Sequence, residues 1–201
     1  MNKFRNSSYY RKIIGVKTVR DIIFYQYAKI IAKSAFKVPN GKKAKKRHFG
    51  FIKKTFLELR DGIKSWSEIT REDWQFIQSE RKCIYCGTEH DIHKEHIVPK
   101  SLCTKPECKT CNVIHQIHNQ IWACRKCNSA KGTMGLYEFF KSRYPDEKKF
   151  YDIIPSLLEK KYLKTIYHCH ECAQTLEKED LDGDGKLTVL DIDFLICHGT
   201  G

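Results

Sequence analysis

The cysteines constrain this chain more than any other feature of its sequence. Eight of the ten cysteines fall into four C-x-x-C pairs. A C-x-x-C pair presents two thiolates to one ion, and two such pairs complete a tetrahedral four-cysteine zinc site. The sequence therefore predicts one or two structural zinc ions, each of which would bring distant segments together. The four pairs are Cys83/Cys86, Cys108/Cys111, Cys124/Cys127 and Cys169/Cys172.

The four pairs can be joined in three ways. We favour the first pair with the third, because a cluster of polar residues lies between them and needs closing into a hairpin. The second site would then join the second pair to the fourth. A redox function for these pairs is not favoured, because the sequence around them lacks the βαβ pattern of redox-active C-x-x-C proteins. Five further residues could substitute as ligands in the second site: Cys103, His115, His118, His168 and His170.

The chain is basic, with a formal net charge of +13 that is concentrated near its amino terminus. Residues 1–60 carry 17 Lys or Arg against two acids, whereas residues 151–201 carry a net charge of −5. A basic region favours a polyanionic partner, because each neutralised phosphate releases condensed counterions. The alternative is a basic face that serves only solubility. We expect a nucleic acid to contact these cations: Lys42, Lys43, Lys45, Lys46, Arg47, Lys53 and Lys54.

The composition indicates a globular protein, with 41% hydrophobic and 30% charged residues. The sequence contains no run of 18 apolar residues, so we expect no membrane span. Charged residues, among them Arg5, Arg11 and Lys12, interrupt the apolar stretches near the amino terminus, so we expect no signal peptide. We therefore expect a cytoplasmic protein whose cysteines hold metal and do not form disulfides.

Apolar periodicity and capping residues predict a mostly helical chain. Thr18 and Asp21 form a capping box ahead of the first helix. We expect a basic helical DNA-binding region over residues 1–80, a core over 81–145, and a helical C-terminal segment over 146–201. The predicted helices are 19–36, 46–60, from a cap at Thr70 to about Glu80, from near Thr133 to Tyr144, and 151–167 with an interruption at Pro155.

A cluster of polar residues lies between the first and the third cysteine pair. Glu95 and His96 are followed by Pro99, and Asn119 stands nine residues before Asn128. Together with the flanking C-x-x-C pairs, this pattern resembles the HNH endonuclease family over about a third of the chain. The resemblance implies an α+β fold with a ββα-metal core, in which a two-stranded hairpin and the helix after it grip one divalent ion. Four-cysteine zinc sites would stabilise this core, which the N-terminal basic helices precede and the C-terminal segment follows.

The resemblance also implies a role for each matching residue. His96 matches the general base, and a neutral imidazole near pH 7 can take a proton from water. Glu95 and Asn128 match the ligands of the catalytic ion, and Asn119 matches the residue that steadies the hairpin loop. Oxygen ligands suit Mg²⁺ or Mn²⁺, which would stabilise the phosphorane and the leaving 3′ oxygen. Lys131 stands where the family often keeps a Lys before Gly, and we expect it to contact phosphate.

The resemblance implies double-stranded DNA as the partner, and hydrolysis of its phosphodiester bonds to 5′-phosphate and 3′-hydroxyl ends. Two positions depart from the family pattern, since Glu95 stands where Asp is usual and Asn128 stands where the family name has His. A restriction-like role fits this activity, and a palindromic target would require a homodimer. The alternatives are a non-catalytic, zinc-stabilised nucleic-acid-binding module and a nuclease that cuts RNA.

A second metal-binding pattern lies near the carboxy terminus, over residues 180–191. Acids occupy positions 1, 3, 5 and 12 of this segment, with Gly at position 6 and Leu at position 8. This spacing is typical of an EF-hand loop, although four acids in a solvated turn is the alternative. The segment resembles a single dockerin-type repeat, so we expect a weakly bound structural Ca²⁺ distinct from the catalytic ion. The expected ligands are Asp180, Asp182, Asp184, Lys186 and Asp191.

Overall fold

The fold combines helices with one small sheet and is mostly helical, which confirms the coarse fold class. A computed structural model describes residues 14–36, 46–65, 69–102, 114, 116–147 and 150–194. Within these ranges the helices are α1 (Val19–Phe36), α2 (Lys46–Arg60), α3 (Ile69–Gln78), α4 (Arg125–Lys131), α5 (Leu136–Arg143) and α6 (Ser156–Cys172). The strands are β1 (Ile92–His96) and β2 (Gln120–Cys124), and short 3₁₀ turns cover Lys100–Leu102, Ile117–Asn119, Phe150–Ile153 and Leu190–Ile192.

Helix α1 is the centre of the helical part and is buried on more than one side. The apolar side chains of α2, including Ile52, Phe56 and Leu59, are buried, and α2 packs along α1. Helix α6 packs on α1 as well, where the ring of Phe24 stacks on that of Tyr167 at 5.5 Å between centroids. Two neighbouring helices therefore cover α1, which accounts for its burial on more than one side.

The amino terminus of α1 is capped as the sequence predicts. The amide of Asp21 donates to Thr18 Oγ1 at 3.3 Å, and the amide of Thr18 donates to Asp21 Oδ2 at 3.4 Å. The amides of Val19 and Arg20 donate to backbone carbonyls of the segment after α6, at 2.9 Å each. Because the first four amides of a helix have no partner within it, these contacts fix α1 against the C-terminal segment.

Two of the five predicted helices, 19–36 and 46–60, have the predicted bounds, and the other three differ. Helix α3 begins at Ile69, so Thr70 lies inside it and the predicted cap is wrong. Helix α5 begins at Leu136, because Gly135 in an extended conformation is its N-cap. Helix α6 continues to Cys172, beyond the predicted end at residue 167, since its last turn is buried against the C-terminal segment.

The two strands form one antiparallel ribbon that leads directly into a helix. The register runs from Ile92 opposite Cys124 to His96 opposite Gln120, and α4 begins at the residue after β2. An isolated two-stranded ribbon is at best marginally stable in water. Contacts beyond the two strands must therefore stabilise this ribbon. They are needed across its long connection over residues 97–119 and at its open end, where Ile92 lies opposite Cys124.

His170 joins the last turn of α6 to the C-terminal segment. Its ring is fully buried, with Nδ1 2.7 Å from Thr175 Oγ1 and Nε2 2.9 Å from the carbonyl oxygen of Ile192. A carbonyl only accepts, so Nε2 carries the proton and Nδ1 accepts from the Thr175 hydroxyl. Burial lowers the pKa of His170 to about 4, against the opposing effects of the Ile192 carbonyl and the Asp191 charge.

Asp193 fastens the same segment to α5. The N-cap residue Gly135 has no side chain to satisfy the first amides of α5. Asp193 supplies that cap from a distance, because its Oδ2 accepts from the amide of Glu138 at 2.6 Å while its Oδ1 accepts from the Tyr162 hydroxyl at 2.5 Å. The approach is so close that a Cβ at position 135 would lie 2.2 Å from Asp193 Cγ.

Gly135→Ala is therefore expected to lower the free energy of unfolding by about 1–3 kcal/mol, the usual cost of overpacking a close contact. Urea denaturation followed by circular dichroism measures this. Gly50→Ala is the matched control, because a Cβ at Gly50 in α2 meets no atom within 4 Å. The control should gain up to about 1 kcal/mol from helix propensity, and equal effects of the two variants would contradict the docking of Asp193.

The buried His170 also predicts a pH dependence of stability. Its folded-state pKa of about 4 lies below the usual 6.5, so its contribution is complete above pH 6.5 and is lost as the pH falls toward 4. The stability difference between wild type and His170→Gln should shrink over that window, by at most about 3 kcal/mol. Unfolding at several pH values measures it. The exposed His90 gives the control His90→Gln, and a pH-independent difference for His170→Gln would contradict the buried neutral ring.

Candidate metal centre and active site

Four cysteines meet at the open end of the ribbon. The Sγ atoms of Cys83, Cys86, Cys124 and Cys127 lie within 4.8 Å of one another. Three of these cysteines are buried, and Cys86 is exposed. Four thiolates at this separation could hold a metal ion such as zinc. The pairs that meet are the first and the third, which the sequence analysis favoured.

Local backbone geometry places each thiol of this cluster. The turn after Cys83 closes with the amide of Gly87 donating to the carbonyl of Cys83 at 2.7 Å, and Gly87 takes a φ of +77° that favours glycine. On the other side, Cys124 ends β2 and its Sγ accepts from the amide of Cys127 at 3.4 Å, which caps α4. The turn after Cys83 thus presents the sulfurs of Cys83 and Cys86, and the start of α4 presents those of Cys124 and Cys127.

The electrostatics of the cluster favour a bound cation. Burial opposes ionisation of Cys83, but hydrogen bonds from nearby backbone amides outweigh it and lower the pKa of Cys83 to about 7. Burial and the neighbouring sulfurs raise the pKa of Cys127 to about 12. Arg143 Nη1 donates to Cys127 Sγ at 3.7 Å. Cys83 therefore ionises readily, whereas Cys127 resists ionisation. A bound divalent cation would offset the negative charge of the thiolates.

Glu95 and Asn128 meet on the side of the ribbon that faces α4. Glu95 is half-buried and accepts hydrogen bonds from the Asn128 side chain and from the backbone amide of His96. Burial raises the pKa of Glu95, and the nearby charge of Lys131 opposes that rise. A carboxylate and an amide are oxygen donors of the kind that Mg²⁺ prefers, so the chemistry of this pair fits such an ion.

Lys131 lies inside this cluster and not at the surface. Its side chain has no exposed area, and its Nζ has no hydrogen-bond partner among the described residues. Burial lowers the pKa of Lys131 to about 8, against the opposing charges of Glu95 and Asp193. The expected contact between Lys131 and phosphate does not fit this burial. In this position Lys131 acts on the charge of Glu95.

Asn119 secures the long connection between the strands. Its side chain is fully buried, with Oδ1 accepting from the amide of Val98 at 2.8 Å. Its Nδ2 donates to the carbonyls of Val98 at 3.0 Å and of Ile114 at 2.9 Å. Three hydrogen bonds from one side chain tie both ends of this connection together. Asn119 therefore lies where a residue that steadies the hairpin loop must lie.

His96 is the last residue of β1 and is half-buried. Side chains alternate between the two faces of a strand, and the register places His96 on the same face as Lys94 and Trp122. Glu95 leaves on the opposite face, toward α4. The side chains of Glu95 and His96, which are neighbours in sequence, therefore lie on opposite faces at the end of β1.

The C-terminal acidic segment forms a turn that brings three carboxylates together. Oxygens of Asp180, Asp182 and Asp184 lie within 4.8 Å of one another. Asp191 is fully buried, and its two oxygens accept from the amides of Leu181 at 2.7 Å and Thr188 at 2.6 Å. Asp191 thus closes the loop from its far end and does not join the other three acids, so its predicted place among the ligands is not supported.

The remaining predicted residues are only partly within the described ranges. Cys169 is buried and Cys172 is exposed on α6. Of the substitute ligands, His170 has both ring nitrogens engaged, His168 Nδ1 lies 3.2 Å from Glu171, and His118 is buried with an unpartnered Nε2. Outside the described residues lie Cys103, Cys108, Cys111, His115, Lys42, Lys43 and Lys45.

The predicted basic surface is therefore seen only in α2. Arg47, Lys53 and Lys54 are exposed there. Lys46 is the first residue of α2, and its side chain lies outside the described part of the chain. Sequence reasoning missed Asp193 and Arg143. Neither belongs to a motif, so only the folded contacts identify them.

Comparisons with known proteins identify no relative: no family model matches the chain, and no curated protein or solved structure matches it significantly. In the described ranges, none of the helices is long and apolar enough to cross a membrane.

Replacing Cys124 tests the four-cysteine centre. Cys124→Ser is expected to lose one equivalent of zinc per chain and to unfold at lower denaturant, because the binding free energy of a structural metal is folding free energy. Elemental analysis and the thiolate absorption of the Co²⁺-substituted protein measure this. Ser129→Ala, at an exposed position of α4, is the control. An unchanged metal content in Cys124→Ser would exclude this centre.

Proposed function

We propose that this chain is a metal-dependent endonuclease of the HNH type that hydrolyses DNA. One observation carries the proposal. The chain order strand, strand, helix brings Glu95 against Asn128, with the connection between the strands held by Asn119 and the open end held by four cysteines. These are the residues that the sequence pattern singles out, and their arrangement supports a ββα-metal core.

Each side chain has a distinct task in the proposed reaction. Glu95 and Asn128 would hold a Mg²⁺ or Mn²⁺ ion, which supplies charge stabilisation to the phosphorane and to the leaving 3′ oxygen when bound. His96 takes a proton from the attacking water. Lys131 keeps Glu95 ionised in its half-buried place. The products are 5′-phosphate and 3′-hydroxyl ends.

The other metal sites have structural tasks in this proposal. Zinc at the four-cysteine cluster would hold the ribbon closed, and a second zinc would join Cys169 and Cys172 to Cys108 and Cys111. The acidic turn of Asp180, Asp182 and Asp184, with Lys186, would hold a Ca²⁺ ion, which would order the C-terminal segment around this turn. Asp191 supports this turn through the two amides that it accepts.

A restriction-like role in the cytoplasm fits this activity, and a homodimer fits a palindromic target. A non-catalytic nucleic-acid-binding module is the competing function. An RNA-directed nuclease would use the same residues. Cleavage assays on DNA and RNA separate the three.

His96→Ala is expected to reduce cleavage of supercoiled plasmid by about 10²- to 10⁴-fold, the usual contribution of a general base. Agarose gels of reactions with Mg²⁺, Mn²⁺, Ca²⁺ or EDTA measure it. His93→Ala is the matched control, because His93 is exposed on the opposite face of β1 and contacts only Asp91 among described residues. Wild-type rates in His96→Ala would refute the assignment.

A further inference from the structure

The face of the ribbon that carries the proposed general base also carries cations to which the proposed reaction gives no task. This outer hairpin face, defined by Lys94, His96 and Trp122 with Arg81 lying over it, is opposite to α4. Lys94 stands directly across from Trp122 in the register, and His96 stands two residues further along the same strand. The face therefore leads directly to the proposed general base.

Trp122 organises the cations of this face. The Arg81 Cζ lies 5.2 Å from the centroid of the indole ring, and the Lys94 Nζ lies 5.9 Å from it. Phe76 of α3 packs on the indole at 5.4 Å between centroids, with a 33° tilt. Cation–π attraction holds a cation within about 6 Å of a ring, so both side chains are oriented and need little ordering when they bind.

The two cations are exposed, and among the described residues they have no acidic partner, unlike their neighbours. Lys82 pairs with Glu80 at 2.6 Å and with Glu89 at 3.0 Å, and Arg125 pairs with Asp91 at 3.3 Å. Within the described part of the chain, no carboxylate pairs with Arg81 or Lys94. Two unpaired cations beside a half-buried histidine make a site for an anionic, extended partner.

The spacing of these residues fits a nucleic-acid backbone. Two residues along a strand span about 7 Å, and each strand of duplex DNA carries a phosphate about every 3.4 Å along its axis. A backbone that brings one phosphate to His96 therefore passes a flanking phosphate over Lys94. Because Phe76 and Arg81 occupy space around the indole, Trp122 orients cations and does not stack on bases.

The geometry points to the outer hairpin face as the surface that holds duplex DNA, with Arg81 and Lys94 contacting phosphates that flank the one at His96. This inference rests on the proposed function and assigns its substrate-binding surface. It adds residues that the basic amino-terminal region does not include. The partner is the phosphodiester backbone, so the contacts are independent of base sequence.

Binding is measured apart from cleavage, by fluorescence anisotropy of a labelled duplex with full-length His96→Ala protein at several salt concentrations. In that background, Arg81→Gln with Lys94→Gln should lower affinity at 0.1 M salt about 10- to 100-fold and reduce the salt slope by about 2, as expected for two lost phosphate contacts. The exchange Arg81→Lys with Lys94→Arg keeps both charges and should retain most of the slope.

Two matched double variants make the test selective. Lys141→Gln with Lys178→Gln removes the same charge at exposed positions of α5 and of the segment after α6, and should leave the slope unchanged. Lys53→Gln with Lys54→Gln tests α2. The inference is overturned if the α2 variant lowers the slope while the Arg81/Lys94 variant does not, or if the protein binds RNA and not duplex DNA.

The plasmid assay separates this inference from the proposed function. A protein that never cuts, but whose slope falls in the Arg81/Lys94 variant, supports the binding surface and refutes the nuclease. A protein that cuts and whose slope does not change in this variant supports the nuclease and refutes the surface. Both side chains are exposed, so these variants should fold, which circular dichroism checks.

Discussion

The four thiols at the open end of the ribbon are the constraint on which the candidate site depends. The ribbon has only two strands of five residues each, joined by the long connection over residues 97–119. Such a ribbon gains little from its own pairing. A metal ion bound by the cysteines would close one end, and the three hydrogen bonds of Asn119 close the other. The place of Glu95 between these two closures is therefore fixed from outside the strands.

A buried charge network then links this site to the C-terminal segment. Lys131 lies near both Glu95 and Asp193, and Asp193 in turn caps α5. An ammonium without a hydrogen bond is costly to bury, and the two nearby carboxyl groups reduce that cost. Burial also raises the pKa of Asp193 to about 7. The effective dielectric constant between α4 and α5 is therefore low. The attraction between Glu95 and Lys131 is stronger there than it would be in water.

Sequence patterns predicted the parts of this structure that local chemistry controls. The capping box of Thr18 and Asp21 and the bounds of helices 19–36 and 46–60 follow from local patterns. The meeting of the first and third cysteine pairs is one of three possible pairings, favoured because the polar residues between these pairs need closing into a hairpin. The sequence could not predict that Lys131 is buried, because lysine is almost never fully buried unless it is paired and one of the two nearby carboxyl groups, Asp193, lies 62 residues later. It missed the cap on α5 for the same reason, since the N-cap is Gly135 and the capping carboxylate comes from a distant segment.

The placement of Glu95 and His96 on opposite faces of one strand divides the site into two environments. Glu95 lies with Asn128 and Lys131 in a half-buried region, where salt screens charges only weakly. His96 lies with Lys94 on an exposed cationic face, where screening is strong. A phosphate at the end of β1 would meet both environments at once. In the proposed enzyme, ion binding and DNA binding should therefore respond differently to salt. The affinity for the ion should change little, and the affinity for the duplex should fall as the ionic strength rises.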